Sequence, residues 1–121
     1  LSAGNARPGH RKLPVKDYDE RTVRLVDPAS VIYVQRSGGH AVLQSTEKQF
    51  RTYHTIDRLE QRLAGDGFMR ANRGALINVN YIDHLIPNGD GSYDAVLGDD
   101  GQTVLTISRG RARPFLESLG M

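Results

Sequence analysis

The feature that most restricts the fold is a series of short β-branched and aromatic runs divided by turn-forming clusters. Residues 31–36 and 40–45 form two such runs, and Gly38 and Gly39 stand between them. Runs of this kind are typical of buried or half-buried strands, and paired glycines between them favour a tight loop. Evenly spaced turns in a strand-rich chain predict small packed sheets rather than a parallel α/β fold.

The same pattern continues along most of the chain. Predicted strands are the segments 12–16, 21–26, 31–36, 40–45, 49–54, 68–70, 76–79, 81–87, 93–98 and 102–108. Because some of these pieces are short, we expect roughly eight or nine strands in all. The first is expected to be an edge strand, since Pro14 cannot donate a ladder hydrogen bond. The residues 99–101 predict a hairpin turn between the last two strands.

One internal segment switches from a strand period to a helical period. Ile56, Leu59 and Leu63 fall on one helical face, while the residues between them are mostly polar. Thr55 is the predicted N-cap, and Gly65 suits a left-handed C-terminal cap. The pattern predicts a helix of about ten residues.

The chain ends in a second predicted helix. Residues 111–120 include Phe115 and Leu119 on one apolar side. Pro114 belongs in a first turn, so the helix is expected to begin at about 111–113. The predicted fold is mainly β, with small antiparallel sheets packed with one short central helix and a short C-terminal helix.

The composition is that of a globular domain. The chain has 121 residues, 38% of them hydrophobic and 25% charged, which suits one domain with one core. Residues 1–11 lack an apolar period and are predicted to be a linker before a domain at 12–121. There is no cysteine, no bilayer-spanning apolar run and no secretory signal pattern, so we expect a cytoplasmic location without membrane contact.

Little in the sequence supports catalysis or metal binding. The histidines lack metal-ligand spacing, and no glycine pattern matches a nucleotide phosphate cradle. The segment 88–99 slightly resembles a calcium loop, but Tyr93 replaces the turn glycine and Asp99 stands where a glutamate is expected. A solvated hairpin turn is the preferred interpretation. We therefore expect no enzyme, no metal and no cofactor.

Charge is distributed unevenly along the chain. Residues 68–80 carry two arginines and three asparagines but no carboxylate. Residues 83–102 are rich in aspartate and have no Lys or Arg, whereas residues 103–114 contain three arginines and no acid. With a net charge of only +2, this pattern indicates either scattered surface charge or a domain with one cationic side.

Four ordered motifs resemble the LytTR family of DNA-binding domains. The stretch 68–82 matches the family's Phe-x-Arg motif at Phe68, Arg70, Asn72, Arg73, Leu76, Ile77, Asn78 and Ile82. The predicted helix stands just before this motif, and residues 31–45 are similar to the family's strand, histidine-bearing loop and strand. Residues 99–120 are similar to its closing hairpin, Ser-Arg pair and C-terminal helix. Departures are Asn72 where many members have histidine, Gly74 where serine is commoner, and Pro114 in the last helix.

The resemblance covers about 13–119 and implies both a fold and a function. The implied fold consists of small, mostly antiparallel sheets with short helices, and it binds double-stranded DNA. Loops, not a recognition helix, enter successive major grooves. The resemblance further implies the output domain of a bacterial two-component response regulator, which stands behind a receiver domain and binds promoter direct repeats, where a dimer forms on DNA.

The chemistry of four residues agrees with a DNA partner, which requires cations for phosphates and planar groups for base edges. Arg109 follows a strand end and could bond guanine O6 and N7, and His40 ends a glycine loop suited to a groove. Asn72 and Arg73 lie in a predicted turn, where the amide can read a base and the guanidinium can clamp a phosphate. Surface exposure or a local ion pair, and backbone capping by Asn72, are the plainer interpretations.

Other residues are weaker candidates. Arg70 either packs its stem on the sheet or contacts DNA, and Asn78 more often bonds neighbouring backbone groups. Phosphate contacts that position the domain are expected from Arg36, Ser37, Gly38, Lys48, Arg111 and Arg113. The aspartate-rich segment 83–102 should face away from DNA, because carboxylates repel phosphates.

Three other functions compete with DNA binding. A protein-interaction β-domain could dock an acidic partner through the same cationic surface, but its binding would not show the steep salt dependence of duplex binding. RNA modules expose aromatic platforms, whereas the Phe and Tyr residues here lie mostly among apolar neighbours. An enzyme is disfavoured because no nucleophile–base pair or metal set is present.

Overall fold

The computed structural model describes residues 12–17, 19, 21–98 and 103–121. Its strands and helices are β1 (Leu13–Lys16), β2 (Val23–Val26), β3 (Val31–Ser37), β4 (His40–Ser45), β5 (Gln49–Thr52), α1 (Ile56–Leu63), β6 (Phe68–Asn72), β7 (Ala75–Asn78), β8 (Ile82–Pro87), β9 (Tyr93–Leu97), β10 (Val104–Ile107) and α2 (Arg109–Ser118). The predicted linker at 1–11 and the predicted turn at 99–101 lie outside the described residues.

The strands form two antiparallel sheets. The larger sheet has seven strands in the order β2-β1-β5-β4-β3-β7-β6, and the smaller has three in the order β10-β9-β8. Every described strand pair is antiparallel. The predicted mainly β fold is confirmed, and ten strands replace the eight or nine expected, because the pieces on either side of the 72–75 turn are separate strands.

The prediction that the first strand lies at an edge was wrong. β1 lies between β2 and β5, and β2 forms the edge instead. β1 pairs with β2 from Leu13 to Lys16, but it meets β5 only at Lys16, opposite Arg51. The second neighbour therefore joins β1 beyond Pro14, the residue that lacks a ladder donor.

Two hydrophobic cores lie on opposite faces of the large sheet. On one face, Leu43 and Val34 pack in the same cluster as Leu59 of α1. On the other face, strands β9 and β10 and helix α2 enclose a second cluster around Phe115. All four residues of β7 are buried because its side chains enter both cores in alternation. These two layers fix the ends of β3, β6 and β10, where the candidate site lies.

Helix α1 begins as predicted and its α-helical part ends at Leu63, but the predicted left-handed cap is wrong. The Thr55 hydroxyl accepts a hydrogen bond from the Arg58 backbone N–H at 3.1 Å, which confirms the N-cap. A 3₁₀ turn at Ala64–Asp66 extends the helix, and Gly67 follows with φ of +84°. The left-handed cap is therefore Gly67 and not Gly65, because the extra turn moves the chain reversal two residues onward.

Helix α2 begins earlier than predicted, at Arg109, with Ser108 at the N-cap. Pro114 consequently lies inside the helix and not in its first turn. As proline has no N–H, it cannot donate to the carbonyl of Gly110 four residues before it. The Arg111 N–H donates to the Ser108 carbonyl at 2.9 Å in the opening turn.

Among the described residues, no helix has the length and apolar character needed to cross a membrane.

Candidate nucleic-acid interface

A cleft of about 320 Å³ lies between two hairpin turns and the start of α1. Its lining residues include Arg36, Gly38, Gly39, His40, Tyr53, His54, Asp57, Arg70 and Arg73. The first turn connects β3 to β4, and the second connects β6 to β7. The fold therefore brings the predicted histidine loop and the predicted Asn-Arg turn to one place, although they are distant in sequence.

The β3–β4 turn stands clear of the rest of the domain. Ser37 pairs with His40 across the hairpin, and Gly38 has φ of +62°, a left-handed conformation that glycine adopts readily. An added Cβ at Gly38 or Gly39 would have no heavy atom within 4 Å. The turn is thus narrow and open on its outer side, as insertion into a groove requires.

His40 closes this turn beside Tyr53. The two ring centroids are 6.1 Å apart, and the rings are inclined by 58°. The imidazole is half-buried, while Tyr53 is 57% exposed. The aromatic neighbour limits the positions of the His40 ring without covering it.

Asn72 organises the β6–β7 turn from within. Its Oδ1 accepts a hydrogen bond from the Gly74 N–H at 2.9 Å, and its Nδ2 donates to the Thr106 carbonyl at 2.7 Å. The first bond caps the turn, and the second ties the turn to β10. Because both ends of the carboxamide have protein partners, the predicted contact of Asn72 with DNA stays a prediction, while the backbone-capping interpretation is confirmed.

Arg73 occupies the exposed tip of the same turn. Within the part of the chain that the structure describes, its guanidinium has no hydrogen-bond or ion-pair partner, although its backbone carbonyl accepts a bond from Arg70. An exposed guanidinium without a protein partner is available to an anion.

Arg70 lies beneath the turn and packs against α1, while its predicted contact with DNA stays a prediction. The residue is only 9% exposed. Its Nη1 bonds Asp57 at 2.7 Å and Glu60 at 2.8 Å, and its Nε donates to the Asn72 carbonyl at 2.8 Å. Nη2 donates to the Arg73 carbonyl. Since the alternation of β6 points this side chain toward α1, Nη1 bonds the helix while Nε and Nη2 hold the turn.

The electrostatics of this cluster favour the charged forms of Arg70 and Asp57. Burial alone would lower the pKa of Arg70, but the Asp57 and Glu60 carboxylates outweigh that effect and raise the pKa. The pKa of Asp57 is lowered mainly by its hydrogen bond from Arg70, and the nearby charge of Arg111 adds to this effect.

Arg109 is exposed at the first position of α2. The residue before it, Ser108, donates its N–H to the Ala71 carbonyl at 2.8 Å. Together with the bond from Asn72 to Thr106, this contact fastens the β10–α2 junction to the end of β6. Arg109 and Arg73 thus emerge from neighbouring, mutually bonded segments.

Lys48 and Arg113 do not line the cleft. The Lys48 ammonium pairs with Asp17 at 2.7 Å and lies 5.2 Å from the centroid of the Phe50 ring. The hydrogen bond from Lys48, and next that from Arg24, lower the pKa of Asp17. Arg113 is exposed and meets Glu117 at 3.8 Å. Lys48 therefore has a structural partner, and a phosphate would have to compete with Asp17 for it.

Residues 21–120 match the family model of the LytTr DNA-binding domain. The chain belongs to this family. Over 122 aligned residues it is 26% identical to the heme-containing CO-sensing transcriptional regulator RcoM 1 of Paraburkholderia xenovorans, covering 100% of the chain and 45% of that protein. Over 115 residues it is 23% identical to the sensory transduction protein LytT of Bacillus subtilis, covering 95% of the chain and 46% of that protein. The chain thus spans less than half the length of these relatives.

A solved structure has the same fold as this LytTR domain. It is a LytTr DNA-binding domain of a methyl-accepting/DNA response regulator from Bacillus cereus, and it superposes with a TM-score of 0.81 at 21% sequence identity. The match covers 92% of this chain and 98% of the other. The architecture of two antiparallel sheets and two short helices is therefore that of the family.

Tyr53 and His54 line the cleft of this LytTR domain but were not predicted as site residues. Their segment was expected to continue a strand to residue 54, whereas β5 ends at Thr52. The signal that could have shown this is Thr55, because an N-cap needs the chain to leave the sheet just before the helix.

The aspartate-rich segment is not wholly separate from the basic residues. The β8–β9 turn, residues 88–92, carries Asp90 and Gly91, and the aliphatic part of Arg109 lies directly beside Gly91. The expectation that this segment faces away from DNA stays a prediction.

Proposed function

We propose that this LytTR domain recognises a specific sequence in double-stranded DNA through its turns, with the β3–β4 turn and the β10–α2 junction in successive major grooves. The observation that carries the proposal is the convergence of the open Gly38 turn, His40 and the unpaired Arg73 guanidinium at one cleft. Among the described residues, the only helical part that lines this cleft is the start of α1, so no helix there is placed to read a groove.

His40 and Arg109 are the proposed base-reading residues. The imidazole can exchange a hydrogen bond with a base edge at the mouth of the β3–β4 turn. The exposed guanidinium of Arg109 can donate two parallel bonds to guanine O6 and N7. Both side chains stand on segments anchored to the sheets, so their positions are set before DNA arrives.

Arg73 is the proposed phosphate clamp, and Arg70 is the residue that holds its turn. Arg73 has a free guanidinium at the tip, whereas Arg70 bonds the carbonyls of Asn72 and Arg73 from below. Further phosphate contacts are proposed for Arg36, Ser37 and Gly38 at the β3–β4 turn and for Arg111 in α2. Asn72 is proposed to contact the duplex as well, through a further hydrogen bond of its carboxamide.

For the whole protein we propose a bacterial cytoplasmic transcription regulator in which this domain is the output half. A receiver domain upstream, as in a two-component response regulator, would control its binding to paired promoter repeats, where two copies dimerise. The likeness to the CO-sensing regulator RcoM 1 supports a heme-based input as a second candidate. The sequence of the upstream half distinguishes them, because a receiver domain carries an acidic phosphorylation pocket.

The test is a binding experiment on duplex DNA. Duplexes retained from a random pool identify the preferred site, and mobility-shift titrations then compare that site with a scrambled duplex at several salt concentrations. We expect selective binding whose affinity falls steeply as salt rises. Binding that is insensitive to salt, or equal on both duplexes, would contradict the proposal and favour an acidic protein partner.

A further inference from the structure

The side chain of Arg109 rests against a glycine in the β8–β9 turn. Gly91 has φ of +96°, and a Cβ placed there would be 2.8 Å from Arg109 Cγ, 3.0 Å from Cδ and 3.8 Å from Cβ. Carbon atoms in normal contact are about 3.5–4.0 Å apart. The observed position of the Arg109 side chain therefore depends on the absence of a side chain at residue 91.

The turn that carries Gly91 is held by its own hydrogen bonds. Asp90 Oδ1 accepts from the Ser92 N–H at 2.9 Å and from the Ser92 hydroxyl at 2.7 Å. The Asn88 amide group donates to Ser92 Oγ and to Asp94 Oδ1, both at 3.1 Å. Such a bonded turn can act as a fixed surface against which a flexible arginine stem packs.

The same turn carries a carboxylate at Asp90, directly before the glycine that the Arg109 stem contacts. The pKa of Asp90 is lowered, first by the hydrogen bonds from Ser92 and also by the positive charge of Arg109. Asp90 is therefore negative at neutral pH, when it attracts Arg109 and repels a phosphate at the same position. A guanine edge has hydrogen-bond acceptors but no full negative charge, so this environment favours a base over a phosphate.

We propose that the β8–β9 turn is the positioning element for Arg109: Gly91 sets the direction of its side chain, and Asp90 reserves its guanidinium for a base edge. This inference rests on the proposed DNA-reading role of Arg109. It assigns to the acidic hairpin a part in sequence selectivity, through contact with Arg109 and without contact with DNA.

The test compares two glycines in the same turn. Gly89 has φ of +86°, close to that of Gly91, but a Cβ there would have no heavy atom within 4 Å. Gly89→Ala therefore carries the same kind of backbone cost as Gly91→Ala without touching Arg109. We expect Gly91→Ala to lower affinity for the preferred duplex about fivefold or more relative to Gly89→Ala, with the scrambled duplex unaffected.

A double-mutant cycle separates positioning from stability. If Gly91 acts through Arg109, then Gly91→Ala combined with Arg109→Ala should bind both duplexes within about twofold of Arg109→Ala alone. A further loss in the double variant, or equal effects of the two glycine variants, would overturn the role of Gly91. Thermal melting of each variant shows the fraction folded, and loss of folding would reduce binding to both duplexes alike.

The charge component has its own variant. Asp90→Asn keeps the shape of the side chain and removes its charge, so we expect tighter binding to the scrambled duplex and a smaller preference for the selected one. An unchanged preference would refute the role of Asp90. If Arg109→Ala itself leaves the preference unchanged, then the proposed reading by Arg109 has failed, independently of what the turn does.

Discussion

Replacing Arg70 by methionine should loosen the β6–β7 turn. Methionine has a similar length and keeps the apolar contacts of the stem, but it removes the donors to the carbonyls of Asn72 and Arg73. A hydrogen bond to a charged group contributes about 1.5–3 kcal/mol. The ion pairs to Asp57 and Glu60 add little more, since water reaches both carboxylates, whose side chains are 83% and 40% exposed.

Two lost bonds, partly offset by better burial of methionine, should lower the free energy of unfolding by roughly 2–3 kcal/mol. For a domain of this size each kcal/mol corresponds to roughly 3–6 °C in Tm, so the melting temperature should fall by roughly 6–18 °C. Thermal denaturation followed by circular dichroism measures this shift. Binding to every duplex should weaken as well, because the turn no longer holds Arg73 in place.

Arg73→Met is the matched control, since the same substitution is made in the same turn at an exposed side chain. Its Tm should change by no more than about 2 °C, because surface substitutions usually have small effects on stability. If the two variants melt at the same temperature, or if Arg70→Met melts like the parent domain, then the buried guanidinium does not hold the turn and the assignment of Arg70 is refuted.

Three further predictions follow from the described contacts. Arg73→Ala should weaken binding to selected and scrambled duplexes similarly and reduce the slope of log affinity against log salt concentration by about one. A loss confined to the selected duplex would contradict a phosphate contact. The pKa of Asp17 is lowered in the fold, so its contribution is present at neutral pH and is lost as pH falls through the folded pKa. The melting temperature should therefore decrease as the pH falls below about 4, and it should decrease less in Asp17→Asn. Identical acid profiles of the two proteins would exclude the ion pairing of Asp17 as a source of the acid sensitivity. Thr55→Ala should cost about 1 kcal/mol in urea unfolding by removing the cap on Arg58, while Thr46→Ala, in an exposed turn, is the control that should change little.

Local chemistry made several elements predictable. The strands on either side of Gly38 and the N-cap at Thr55 depend on neighbours only a few residues away, and each lies where the sequence indicated. Asn78 was expected to bond neighbouring backbone, and it accepts from the Asn80 N–H two residues onward. Its bond to the Val31 carbonyl, from a strand far along the chain, depends instead on packing. Hydrogen bonds between a side chain and the backbone a few residues away follow from residue type alone.

Errors arose where distant segments determine the outcome. Pro14 suggested an edge strand, but β2 takes the edge because the chain folds back beside β1. Arg70 could pack or bind DNA, and only the packing of α1 against β6 supplies the carboxylates that it bonds. Pro114 suggested a later start for α2, whereas the bond from Ser108 to Ala71 fixes where the helix begins.

The sequence by itself determined the family and the strand and helix types, because spacing and residue type are local properties. Tertiary structure alone decided which arginines remain available. Arg73 is exposed at a turn tip, Arg70 is enclosed below it, and Arg109 lies against Gly91 in the acidic hairpin. The physical reason is that the partners of a long charged side chain come from segments far along the chain, and only packing brings them within hydrogen-bonding distance.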